Sequence, residues 1–197
     1  MGAPEDDPDI WDYLGQATPA MFEGRFEEAA ALYERILGLN PRKHDVDPFW
    51  LLMSIGESCF RRGAWEQAMD AYHRAFSEHE EAALGNPLFH LRVGQCQLEL
   101  QAGGAMDNLA RALIGGGIEL FDDEEPEYLA AIVEVLRPPA DATTWEATRG
   151  QGGATRDKLD GAIEQEFLWD MLESRGVVKT PDRRGLFSNP KYWKPES

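Results

Sequence analysis

The sequence predicts an all-α protein built from repeated antiparallel helical hairpins, and three observations carry that expectation. Residues 49–76 hold two runs of apolar side chains at helical spacing, separated by Arg62-Gly63: Phe49, Leu52, Ile55, Gly56 and Cys59, then Trp65, Ala68, Met69, Tyr72, Ala75 and Phe76. Gly24, Phe26, Ala29 and Tyr33 recur as Gly63, Trp65, Ala68 and Tyr72, all four at an offset of 39 residues. Val93-Gly94 then follows Ile55-Gly56 by 38 residues, so the glycine at a close helix approach recurs.

Taken in order, residues 1–9 are expected to fray. Ile10 to Phe22 is the first helix, carrying Trp11, Leu14 and Met21 on one side, and Thr18-Pro19 predicts a kink or a division into two short segments. Phe26 to Leu39 is the second helix. The polar stretch Asn40 to Pro48, whose two prolines, Pro41 and Pro48, forbid a continuous helix, separates the first hairpin from the second. Within the second hairpin, Gly56 and Ala68 are the expected contact points, with Trp65 and Tyr72 filling the space beside them. An acidic connector, Ser77 to Gly85, precedes a helix opened by Asn86-Pro87, where proline suits the first turn. The partner helix around Asn108 to Leu113 lacks the large aromatics of its predecessors, which makes the third unit degenerate.

Three consecutive glycines, Gly115 to Gly117, predict a break or a tight packing point, and no Lys-Ser/Thr pair follows them to make a phosphate loop. Asp122 to Glu125 and Pro126 lead into a closing helix, Tyr128 to Leu136, whose positive end the acidic residues favour. The domain plan is therefore a repeat body at 10–139, a Gly/Thr/Ala-rich linker at 140–154, an amphipathic helix at 155–175 and a basic-aromatic tail at 176–197.

The net charge of −17 is placed unevenly. Residues 1–150 contain 11 Lys and Arg against 28 Asp and Glu, whereas 151–197 balance at eight against eight. Such a body repels nucleic acid and anionic lipid, both of which need concentrated Lys and Arg, and attracts a basic protein. No run approaches the roughly 18 apolar residues of a membrane span, and the N-terminus is acidic where a secretory signal is basic and then apolar. Cys59 and Cys96 read as buried thiols of a reducing compartment, so a cytoplasmic protein is expected.

Catalysis finds no support in the residue pattern. His73 and His79 are six apart, the wrong spacing for metal ligands on one helical face, and His44 and His90 have no paired ligand. The cysteines are read as lacking the cationic setting that marks a thiolate nucleophile, and the serines lack a strand-turn-helix elbow. No enzyme, cofactor or metal is expected.

The recurring Gly-x-Phe/Trp-x-x-Ala-x-x-x-Tyr pattern resembles the tetratricopeptide repeat, whose period is about 34 residues, with the additional residues absorbed by the 40–48 linker. The resemblance implies about three stacked hairpins in which the first helix of each lines a concave groove. Counted from the repeat glycines, that groove is expected to present Trp11 and Leu14; Trp50, Met53, Glu57, Phe60 and Arg61; and Leu88, Leu91, Gln95 and Leu98. An exposed apolar row of this kind marks a protein partner, although the helix at 155–174 is an alternative occupant in cis.

Two narrower resemblances follow. Phe89-His90 with Gly94 to Leu98 looks like the third repeat of class II type III-secretion chaperones, which implies that the groove holds an unfolded client segment. Asn86 to Cys96, with Leu109 to Ala112 and Phe121 to Tyr128, is similar to bacterial repeat proteins encoded beside polymorphic toxins. That implies a cytosolic immunity protein binding a basic toxin domain encoded nearby, and it is the reading the sequence favours, ahead of the chaperone and of a general repeat scaffold.

Overall fold

The computed structural model describes residues 10–139 and 142–150. The expectations for residues 1–9, for the helix at 155–175 and for the tail at 176–197 lie outside them. Every regular element among the described residues is helical. The chain divides after His79 into two compact units.

The first unit contains α1 (Ile10–Phe22), α2 (Phe26–Gly38), α3 (Pro48–Arg61) and α4 (Trp65–Glu78). Each helix packs on the next, giving the two hairpins that the repeat pattern predicts. Both hairpin turns use a glycine in the left-handed region, Gly24 at φ +77° and Gly63 at φ +72°, so the same residue does the same work at both copies. Between the hairpins, Pro41–His44 makes a 3₁₀ turn flanked by left-handed Asn40 and Asp45, and buried Pro41 and Val46 anchor it. Asp47 then caps α3 by accepting from the Phe49 amide at 2.9 Å, with Pro48 in the first turn.

The close approach expected at Gly56 is real. A Cβ there would lie 2.3 Å from the Tyr72 ring, so α3 and α4 meet at a distance that only glycine permits. Ala29, Tyr33, Ile36, Leu51, Leu52, Ala68, Tyr72 and Ala75 are almost wholly buried around this contact. Pro19, by contrast, does not divide α1, which runs unbroken through it. The proline forfeits one bond to the Gly15 carbonyl. Both residues face solvent, where water replaces the missing donor, and Gly15 leaves open space beside it.

The second unit contains α5 (Glu80–Leu84), α6 (Pro87–Glu99), α7 (Ala105–Gly116) and α8 (Pro126–Val133), with 3₁₀ turns at Ile118–Phe121 and Glu146–Thr148. The acidic connector thus contains a short helix of its own. Asn86 caps α6 through the Phe89 amide at 3.1 Å. The glycine triplet is a packing point and not a mid-helix break: α7 continues through Gly115 and Gly116 and stops at Gly117, whose φ is +81°. A Cβ on Gly116 would strike Leu120 at 2.6 Å, so the chain folds tightly back there.

The core of this unit gathers Leu91, Leu109, Leu113, Ile114, Ile118, Phe121, Tyr128, Ile132 and Leu136, and it includes Trp145. Composition marks 140–154 as linker, yet Trp145 is 6 % exposed and donates its indole N–H to the Leu136 carbonyl at 3.1 Å. Arg149 secures the same stretch by donating to both carboxylate oxygens of Asp122, at 3.0 and 2.8 Å. A single tryptophan outweighs the Gly/Thr/Ala composition around it because it brings a large apolar area to the core.

Candidate functional site

The candidate groove residues divide between the two units, and the structure gives them unequal surroundings. In the first unit, Trp11 on α1 is 55 % exposed and Trp50 on α3 is 44 % exposed. Leu14 and Met53 are half-buried. The contact of Ser58 Oγ with Met21 Sδ at 3.4 Å brings α3 alongside α1, so the two helices carrying these side chains are neighbours. Trp50 stands edge-on to Tyr33 of α2, with ring centroids 5.6 Å apart and planes at 86°, a geometry that fixes the indole while leaving nearly half of it open.

Glu57 and Arg61 pair along α3 at 2.7 Å, neutralising each other beside the aromatic positions. Phe60 departs from the expectation. It is 8 % exposed and lies edge-on to Trp65 at 5.2 Å, so it belongs to the inside of the α3–α4 hairpin and offers no surface to a partner.

In the second unit only Leu88, 40 % exposed, remains an open apolar position, with Leu98 half-buried against the core. Leu91 and Gln95 are fully buried: against the expectation of groove positions, both are interior residues. The cause is local: the elements following α7 fold onto this face of α6. Leu91 joins Ile118, Phe121 and Tyr128 in the core, and Gln95 Nε2 donates to Glu124 Oε2 at 2.9 Å. Arg92, also buried, pairs with Glu124 at 2.7 Å and donates to Gln95 Oε1 at 2.8 Å. The acidic run 122–125 is therefore partly spent on a buried cation.

Two residues and one contact escaped the sequence reading. The repeat pattern marks Tyr33 but not its contact with Trp50; it is 3 % exposed, and burial raises its phenol above the ordinary range while the Thr18 hydroxyl opposes that shift. Its position one repeat before Tyr72 was the available signal. Phe22 is 86 % exposed at the end of α1, where periodicity alone places it on no definite face. Arg62, distant from Cys59 only by a helical turn, brings its guanidinium to 4.0 Å from the Cys59 sulfur.

A cleft of about 860 Å³ lies between α2 and α4, floored by Ile55, Cys59 and Ala71. Glu34 and Arg74 pair across it, and Arg62 donates to the Gln67 amide oxygen. Among the described residues there is no cluster of three or more His, Cys, Asp or Glu side chains able to hold a metal. No described helix is long and apolar enough to cross a membrane.

No protein-family model matches the chain, and no characterised protein matches its sequence. Among solved structures, PcrH from Pseudomonas aeruginosa matches with a TM-score of 0.44 and 18% identity, covering 67% of this chain and 88% of that one.

Proposed function

We propose that this chain is a non-catalytic protein-binding module whose docking surface is the α1/α3 side of the first unit, and that it holds an apolar polypeptide segment there in the manner of a secretion chaperone. The observation that carries this reading is the pair of exposed indoles, Trp11 and Trp50, on neighbouring helices beside half-buried Leu14 and Met53. A large aromatic ring held rigid yet open by an edge-on tyrosine costs little conformational entropy on binding. Burying it contributes about 1.5 to 3 kcal/mol.

The nearby Glu57–Arg61 pair is internally neutral, so this surface selects by apolar area more than by charge. The net charge of −17 favours the second reading, an antidote that meets a basic folded toxin domain through acidic rim residues. The two differ in salt response, steep for the antidote's association rate and shallow for a segment captured by indoles.

The test is co-expression with the product of the adjacent reading frame, followed by capture on wild-type and Trp50→Ala protein at low and high salt. Loss of capture in Trp50→Ala, with wild-type capture insensitive to salt, supports the chaperone-like reading. Equal capture by both proteins removes the indole surface from consideration. Capture that collapses with salt in both moves the function to the antidote.

A further inference from the structure

α6 buries a histidine in a setting that demands a particular arrangement of protons. The imidazole of His90 is 5 % exposed, and each of its nitrogens has a neighbour: Nε2 lies 3.1 Å from the Leu84 carbonyl at the end of α5, and Nδ1 lies 2.9 Å from Asn108 Oδ1 on α7. The same amide continues outward, with Asn108 Nδ2 donating to Gln97 Oε1 at 3.0 Å and, over a longer 3.4 Å, to the Gly104 carbonyl. Leu84 offers only an acceptor, so Nε2 must carry a hydrogen. Nδ1 facing an amide oxygen must then carry one too. This arrangement fits an imidazolium.

The surroundings oppose that charge. Burial lowers the His90 pKa from 6.5 to about 4, and the Arg111 guanidinium acts in the same direction, while the hydrogen bonds to Asn108 and Leu84 resist. On α7, one residue before Asn108, burial raises the Asp107 carboxyl and Arg111 lowers it. α5 presents only the Leu84 carbonyl, since its carboxylates Glu80 and Glu81 are exposed. On α6 itself, Phe89 contributes an aromatic edge at 5.4 Å, and Arg92 is engaged by Glu124.

A neutral ring keeps its hydrogen on Nε2 for Leu84 and turns a lone pair toward Asn108. The amide must answer with Nδ2, which places its oxygen toward Gln97, and Gln97 must in turn present its own NH₂. Both side-chain amides reverse, and each close donor again meets an acceptor; only the longer bond to Gly104 is surrendered. We propose that His90, Asn108 and Gln97 form a relay of reversible polarity linking α5, α6 and the start of α7, in which a proton taken from solvent by His90 Nδ1 turns both amides together. The relay reaches the α6–α7 turn, because Gln97 lies against Gly104, where an added Cβ would be 3.2 Å from its Nε2.

The experiment is a nitrogen-15 NMR titration of the full chain from pH 8 downward, reading the two His90 ring nitrogens and the side-chain NH₂ groups of Asn108 and Gln97. At pH 7 the expected ring is neutral, with hydrogen on Nε2 and none on Nδ1. Protonation is expected at least one pH unit below the ordinary histidine value, and both NH₂ groups should shift with the same midpoint. A hydrogen on Nδ1 at pH 7, a midpoint near or above 6.5, or NH₂ groups indifferent to the histidine overturns the proposal. Asn108→Asp supplies a fixed acceptor of the same shape and should raise the His90 midpoint by two units or more; an unchanged midpoint in a folded variant overturns the relay. If the second unit unfolds before the wild-type midpoint, or the variant does not fold, the ring tautomer at pH 7 decides.

Discussion

α3 and α6 stand at equivalent places in successive repeats, 38 residues apart, yet they have opposite relations to solvent. Trp50, Met53 and Glu57 on α3 remain exposed or half-buried. Of their counterparts on α6, Leu88 stays exposed, whereas Leu91 and Gln95 are buried along with every residue from Phe89 to Cys96. What separates them is the chain that comes after. The described residues of the first unit end with its second hairpin, whereas the second unit continues through Ile118–Phe121, Glu124 and Tyr128, which fold over α6. A stretch buried as Phe89 to Cys96 is cannot leave polar groups unanswered, and its three polar side chains all find partners: His90 with Leu84 and Asn108, Arg92 with Glu124, Gln95 with Arg92 and Glu124. One repeat unit thus serves as surface and its near-copy as interior.

The comparison breaks most severely at Glu124. Glu124→Ala takes the carboxylate from a guanidinium whose side chain is 4 % exposed, and should cost about 3 to 5 kcal/mol in urea denaturation. Glu57→Ala removes a solvent-facing i,i+4 pair and should cost less than about 0.5 kcal/mol. Similar losses for the two would mean that the second unit's ion pair is solvated and that α6 is not the interior helix described here.

Acid should distinguish the units next. The folded His90 pKa lies near 4 against 6.5 in the unfolded chain, so the unfolded state takes up the proton first as pH falls. Stability from this group is fully present above pH 6.5 and declines between 6.5 and 4, by about 3 kcal/mol in all. The decline is a property of the second unit alone, since the matching position on α3 is Leu52. His90→Gln should flatten this limb of the stability–pH curve, measured as the chemical denaturation midpoint; an unaltered limb would assign the acid loss to carboxylates.

Glycine gives a finer contrast inside the first unit. Gly56→Ala drives a methyl into the Tyr72 ring and should destabilise by about 1 to 3 kcal/mol. Gly15→Ala, with nothing within 4 Å of the new methyl, should stabilise by about 0.5 to 1 kcal/mol. Opposite signs in thermal melts are the expected result, and two losses would show that α1 is packed where the structure leaves it open.

These contrasts mark what residue pattern can and cannot reveal. Gly56 was legible because a helix-spaced glycine facing a helix-spaced tyrosine has one economical explanation, and the 39-residue recurrence located both turns before any geometry was known. Trp50 was legible because the repeat offset assigns it a face. Leu91 and Gln95 were assigned the same face by the same offset, and that failed because burial by residues 118–128 depends on chain far downstream, to which local periodicity is blind. Trp145 was hidden for a related reason: one large side chain sets the fate of a stretch that composition averages into a linker.

The smallest expected change in stability carries the most functional weight. Trp50 is 44 % exposed, and its principal described contact is the edge of Tyr33, an interaction contributing about 0.5 to 1.5 kcal/mol. Trp50→Ala should therefore shift the melting midpoint by only a few degrees. Phe60→Ala, although predicted from sequence to share the groove, should cost about 3 to 5 kcal/mol, because its ring is 8 % exposed against Trp65. If Trp50→Ala instead costs as much as Phe60→Ala, the indole is a structural prop and the α1/α3 surface is not poised for a partner. If it costs little, the chain keeps a large aromatic exposed for little gain in its own folding, and cover by a partner, or by the chain's own 155–174 segment, is the physical reason for its position.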